Sequence, residues 1–252
     1  MSNILLRSFE ARPDFKCISA PYAMAKYIGD ERSGEIVKYF DHKEGFKYQD
    51  VEDSVRKCED ENPNKNILLK DHYYNFLGAP YDLEVIIPKG YKHGILYRNP
   101  IKALLSMKKL FLKINFELTL ENFAEFVDYG KLYGVYEELI AKGIDENPSV
   151  INASFLANQP EAYLTEMCNL WELEYLPEMI DFPNTTTCLT DYPCADILNW
   201  RGDAIHSTTW RKETDYSESE FLSLPEDIHE FIQDQEVVYE KLNKICIRIG
   251  NK

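Results

Sequence analysis

Two short stretches of this sequence bring together residue types that could do chemistry. The first is Gly94-Ile95-Leu96-Tyr97-Arg98-Asn99-Pro100, followed by Ser106 eight residues after Arg98. An apolar strand would deliver Arg98 to its carboxyl end. A helix opening at Asn99–Pro100 would aim its unpaired N–H groups into the same space. Ser106, about two turns into that helix, could join a guanidinium fork in gripping one phosphate. The same spacing also suits an arginine that caps a strand end and a serine that faces a neighbouring helix. The second stretch is Ile67-Leu68-Leu69-Lys70-Asp71-His72. A neutral imidazole can take a proton near pH 7, so His72 is a candidate general base. Lys70 could stabilise developing negative charge, and Asp71 could orient either neighbour or act as a second base. The structural alternatives are a histidine packed at a strand end beside Tyr73 and Tyr74, and a lysine paired with Asp71.

These residues need strands and helices to place them. Phe15–Ser19, Ile67–Lys70, Gly94–Arg98 and Val150–Ala153 read as short apolar strands. The opening segment around Ile4, Leu5, Ser8 and Phe9 reads as a helix, and Tyr22–Ile28 as another that stops at Gly29. Apolar residues three and four apart predict one long amphipathic helix over Leu118–Ile140. Pro160–Leu173 and Pro225–Ile247 read as further helices, each with proline at its start. Thr185–Asp203 reads as irregular. Strands alternating with helices imply an α/β chain with a parallel sheet covered on both faces, in one domain spanning 1–252.

Composition narrows the partners. The chain has 252 residues and a formal charge of −15, from 28 Lys+Arg against 43 Asp+Glu. A surface this acidic argues against nucleic acid or an anionic membrane, so an anionic ligand must meet a local basic pocket. Cys17, Cys168 and Cys246 sit among apolar residues and read as buried thiols, while Cys188 and Cys194 share one loop. No C-x-x-C pair, His-paired cysteine pattern or carboxylate cluster suggests a metal. No secretory signal or membrane-length apolar run is visible, which makes the cytoplasm the expected location. His206 could reach a cleft. His42, His93 and His229 are given no role.

The strings resemble a known family. Arg98-Asn99-Pro100 with Ser106 is similar to the 3′-phosphate site of sulfotransferases, which use PAPS (3′-phosphoadenosine 5′-phosphosulfate) as sulfuryl donor. Lys70-Asp71-His72 resembles that family's Lys-x-His strand end. Ser2-Asn3, Arg7-Ser8-Phe9 and Arg12-Pro13-Asp14 resemble the end of its 5′-phosphosulfate loop and the helix after it, as found in microbial-type members. Val150-Ile151-Asn152-Ala153 with Pro160-Glu161 resembles a later strand and helix, and Trp210-Arg211-Lys212 its late Arg-Lys-Gly loop. The resemblance implies a three-layer P-loop NTPase/sulfotransferase-like sheet in a single domain. It implies transfer of a sulfuryl group from PAPS to a hydroxyl or amine of a small-molecule acceptor. It implies His72, Lys70 and Asp71 in catalysis. Arg98, Ser106, Ser2, Asn3, Arg7, Arg211 and Lys212 would hold the donor. No metal is implied, and a homodimer is allowed.

Three departures shape that expectation. The family's first strand and the front of its phosphate loop would precede Ser2, so the first strand is expected to be missing or truncated. Either Met1 is not the natural start, or the protein folds without that strand and does not bind PAPS normally. Ser19-Ala20 stands where relatives often carry an acidic pair. Glu213 stands where the late loop would have glycine, and its carboxylate would oppose a phosphate near Arg211 and Lys212. The alternative function is therefore a catalytically impaired sulfotransferase-like protein that binds a nucleotide or a partner. A small-molecule kinase is disfavoured, because no G-x-x-x-x-G-K-[ST] loop occurs.

Overall fold

The computed structural model describes residues 1–77, 79, 82–87, 90–189, 203–213 and 215–249. It divides into two compact units, Met1–Ile86 with Tyr175–Trp210, and Ile87–Glu174 with Arg211–Lys252. Each has its own parallel strand pair, because each contains two short apolar runs joined by a helical crossover long enough for parallel pairing. The α/β class with parallel strands holds. Among the described residues the strands form two separate two-stranded sheets, so the single three-layer sheet is not reproduced.

The first unit opens in helix α1, Ser2–Glu10, whose Leu6, Arg7, Ser8 and Phe9 are buried. Strand β1, Phe15–Ser19, pairs with β2, Asn66–Lys70, from Phe15↔Asn66 to Ser19↔Lys70. Phe15, Cys17 and Ser19 are buried, following the two-residue period of a strand. The crossover carries α2, Tyr22–Tyr27, a 3-10 turn at Glu35–Tyr39, and α3, Tyr48–Glu61. Tyr48, Val51 and Val55 line the inner face of α3. The Asp50 carboxylate accepts the Lys47 N–H at 2.9 Å, which settles the start of α3. Gly29 ends the α2 segment for a steric reason: a Cβ there would lie 1.9 Å from the Phe46 carbonyl oxygen. After β2 come two single turns, α4 (Tyr73–Phe76) and α5 (Leu83–Ile86).

In the second unit β3, Gly94–Tyr97, pairs with β4, Ser149–Asn152, from Gly94↔Ser149 to Tyr97↔Asn152. Helix α6, Pro100–Lys113, begins where the sequence places it. Pro100 opens it, and the Asn99 side-chain oxygen accepts the Lys102 N–H at 3.1 Å. The long helix expected over Leu118–Ile140 is instead two, α7 (Leu120–Phe126) and α8 (Tyr129–Ala141). Asp128 divides them. Its side chain caps α8 by accepting the Lys131 N–H at 3.0 Å. The Tyr129 N–H donates outward to Gln235 at 2.7 Å, so it does not continue the α7 ladder. Helices α9 (Ala153–Asn158) and α10 (Pro160–Leu170) follow β4. Then come α11 (Glu218–Leu222) and α12 (Glu226–Ile245), the latter burying Ile228, Ile232, Gln235 and Leu242. Tyr97, Val150, Leu242 and Cys246 form one knot of the core.

Among the described residues no helix is long and apolar enough to cross a membrane. Cys17, Cys168 and Cys246 are buried thiols, as their apolar neighbours suggest. Cys194 lies outside the described residues.

Candidate functional site

In open parallel sheets, ligands favour the space outside the carboxyl ends of the strands. In the first unit that edge is formed by Ser19 and Lys70. The chain leaves β1 through Ala20, whose φ of 49° is left-handed. That conformation costs an L-residue roughly 1–2 kcal/mol. The Ala20 N–H donates to the Lys70 carbonyl at 2.5 Å, so the turn is tied to the end of β2. On the β2 side Asp71 organises the backbone. Its carboxylate accepts the His72 N–H at 2.7 Å, the Asn75 side-chain amide at 2.5 Å and the Tyr22 N–H at 2.9 Å. Burial raises the Asp71 pKa above the ordinary carboxylate value, against the opposing pull of Asn75, the His72 and Tyr22 N–H groups and Lys70.

With Asp71 holding the turn, Lys70 and His72 meet. Lys70 Nζ lies 2.7 Å from His72 Nε2. An ammonium has only donors, so a charged Lys70 donates to the Nε2 lone pair and leaves the imidazole neutral. The imidazole stacks on Tyr74 at 4.9 Å between centroids, with planes 6° apart. Lys26 donates to the Tyr74 carbonyl at 2.5 Å and fixes that residue's backbone. The structure thus brings together the three residues singled out as catalytic. It adds Tyr22, Lys26 and Asn75, which sequence reasoning missed, and Ala20, noted in the sequence only as a departure from an acidic pair. Nothing local marks them, since Tyr22 and Lys26 reach the site from a helix 49 and 48 residues away in sequence.

The other donor-holding candidates of this unit are placed differently. Ser2 and Asn3 are half-buried in the first turn of α1. Arg7 is 1% exposed, and its guanidinium is given over to carbonyl oxygens. It donates to those of Ala204 at 2.8 Å, Ile205 at 3.0 Å and Thr185 at 3.4 Å, and also to those of Ser207 and Pro183. Glu10, one turn on, accepts from the Thr187 and Cys188 N–H groups, each at 2.8 Å. Arg7 and Glu10 together fasten the segment 183–188 to α1. His206 is exposed in the short helix Asp203–His206.

The Arg98 junction lies in the second unit. Arg98 follows β3 as expected, and its carbonyl accepts the Tyr129 hydroxyl at 2.5 Å. Its guanidinium pairs with the Glu213 carboxylate. The same carboxylate takes Lys102 Nζ at 3.0 Å and the Ser154 hydroxyl at 2.5 Å. The Glu213 side chain is 3% exposed. Burial works against its charge, but Ser154, Lys102 and Arg98 prevail and hold its pKa below the ordinary carboxylate value. Ser106 is exposed on α6, and the hydroxyl that joins the cluster belongs to Ser154. Arg211 and Lys212 are exposed, while the next residue, Glu213, turns inward. The guanidinium read as part of a phosphate grip is thus held by a carboxylate from its own chain. The acidic residue at 213 was visible in the sequence. Its partners, 115 and 111 residues away, were not.

No family model matches the chain, and no solved structure matches it. It is similar to branched-chain-amino-acid aminotransferase-like protein 2 of Arabidopsis thaliana, with 28% identity over 193 residues. The match covers 71% of this chain and 29% of that protein, so the chain spans less than a third of its relative's length. This overturns the sulfotransferase reading. The relative is aminotransferase-like, and the comparisons give no support to sulfuryl transfer, to PAPS as co-substrate, or to a sulfotransferase-like binding module. The short strings failed as evidence for a physical reason. An Arg-Asn-Pro after an apolar strand and a Lys-x-His at a strand end are also what strand-end capping requires, and here Arg98 caps a buried carboxylate.

Proposed function

We propose that this chain belongs to an enzyme acting on small amino or 2-oxo compounds, with Lys70 as nucleophilic amine and His72 as its proton acceptor. The observation that carries the reading is the 2.7 Å contact between Lys70 Nζ and His72 Nε2 at the carboxyl end of a parallel strand. An ammonium is inert toward a carbonyl group until it loses a proton. His72 is placed to take it. The free amine then attacks the carbonyl carbon. One amine proton moves to the oxygen to give the carbinolamine, and the proton held on Nε2 then goes to the carbinol hydroxyl, which leaves as water and yields a protonated imine. Asp71 keeps the two side chains in register by fixing the backbone between them. The relative's name, which concerns amino acids, favours the same substrate class.

Aminotransfer of the kind that name describes draws on pyridoxal phosphate, held by a lysine imine with a carboxylate or arginine at the ring nitrogen. Lys70 suits the first requirement. Asp71, the carboxylate beside it, does not suit the second, because its two oxygens are taken by three donors. The residues at this edge do not fit that cofactor.

Sodium cyanoborohydride reduction in the presence of 4-methyl-2-oxopentanoate tests the proposal. Peptide mass mapping should place the secondary amine on Lys70 ahead of other lysines. His72→Gln should slow its formation by about a hundred-fold, the lower end for a lost general base. Adducts spread evenly over the lysines would overturn the reading.

A further inference from the structure

A second polar cleft lies in the other unit, at the opposite end of its strand pair. It encloses about 190 Å³ beside the amino ends of β3 and β4. His93, immediately before β3, lines it with Lys92, Asn147, Ser149 and Trp171. The imidazole is held by Asp145. The carboxylate accepts the His93 backbone N–H at 2.9 Å and bonds the ring Nδ1 at 3.0 Å. The Asn147 N–H, also at 2.9 Å, holds its other oxygen. Burial opposes the charge on Asp145, but these donors outweigh it and lower its pKa. An ionised Asp145 requires the Nδ1 proton, which makes Nε2 of a neutral His93 an acceptor. The ring is half-buried, and Nε2 has no partner among the described residues.

The remaining wall is aromatic and rigid. Trp171 donates its indole N–H to the Ser149 hydroxyl at 3.0 Å. Its ring lies so close to β3 that a Cβ at Gly94 would come within 3.0 Å of it. Val150 and Ile247 add apolar surface. A cavity of about 150 Å³ is known to hold benzene, so this cleft has room for one substituted ring. In the neutral ring Nε2 accepts a proton and offers none, which disfavours a carboxylate there and favours a hydroxyl. Lys92, exposed at the rim, adds positive charge for an acidic one.

We propose that this cleft binds a small hydroxyaromatic molecule, with the ring against Trp171 and the hydroxyl donating to His93 Nε2. Asp145 is a positioning residue that holds the accepting tautomer. The inference is independent of the Lys70–His72 reading.

The test compares 4-nitrophenol with nitrobenzene, the same ring without the hydroxyl, on the full chain by equilibrium dialysis. The phenol should bind about ten-fold tighter or better, the effect of one well-made hydrogen bond. His93→Phe should abolish that preference, and Asp145→Asn should weaken it while leaving nitrobenzene binding unchanged. Nitrogen-15 spectra of the unsubstituted protein give a readout that no variant's folding can obscure. They should show His93 protonated on Nδ1, and the Nε2 resonance should move when 4-nitrophenol is added. Equal affinity for the two probes, no saturable binding, or an unmoved Nε2 signal would each overturn the proposal.

Discussion

Strands β2 and β3 end in nearly the same way. Each is a short parallel strand, each carries a basic residue just at or beyond its last paired position, and each passes directly into a helical turn. They differ in what completes the charge. Beyond β3, Arg98 and Lys102 close on the buried carboxylate of Glu213. Beyond β2, Lys70 has a neutral imidazole as its near neighbour, and the local carboxylate, Asp71, is committed to backbone and amide donors. The first arrangement satisfies its charges and stabilises the fold. The second holds a proton between two bases. One strand-end pattern therefore closes on a buried carboxylate in one unit and sets an amine beside an imidazole in the other, and the carboxylate supplied from a distant segment makes the difference.

The largest expected effect probes the structural member of the pair. Glu213→Ala leaves Arg98 and Lys102 without their shared partner. It should cost about 3 kcal/mol in urea unfolding, the low end for breaking a buried pair. A loss under about 1 kcal/mol would show that the cluster behaves as a surface ion pair and would erase the contrast. Asp71→Ala in the other unit should cost about 2 kcal/mol, since it strands the buried N–H groups of Tyr22 and His72. A pH series separates the two carboxylates further. Glu213 has a lowered folded pKa, so its stabilisation is present above its ordinary 4.5 and fades as pH falls through the lowered value. Glu213→Gln should flatten the acid limb of stability. Asp71 has a raised folded pKa, so its ionisation penalises the fold as pH climbs through that value. Asp71→Asn should remove that loss. Matching acid limbs in wild type and Glu213→Gln would refute the assignment. The smallest effect concerns Ala20. Glycine there relieves the left-handed strain but loosens the unfolded chain, so Ala20→Gly should change stability by less than about 1 kcal/mol.

The sequence made the local elements readable where local chemistry decides them. Phe15–Ser19 pairs as expected because its alternation survives on a half-covered sheet. Asn99 and Pro100 start α6 because a cap and a fixed φ need no tertiary help. The break at Asp128 was missed, since apolar spacing continues through it; the Asp128 cap on α8 and the donation from Tyr129 to Gln235, 106 residues away, make the interruption. The site was legible to the same degree. Lys70, Asp71 and His72 are adjacent, so their meeting was foreseeable. The Glu213 clamp and the His93–Asp145 pair depend on residues 115 and 52 positions apart, and no periodicity or motif announces them.

The Arg7 clamp bears on how this polypeptide is made. Its carbonyl partners lie at residues 183–207, after the whole Ile87–Glu174 stretch of the second unit. On a ribosome, α1 emerges well before these carbonyls, and its buried guanidinium must wait for them to be satisfied. Until then an uncompensated cation sits on a helix surface that those carbonyls will later cover. The first unit therefore cannot close until its 175–210 segment has been made, and a nascent chain halted near residue 174 would expose α1 to proteases that the finished protein resists.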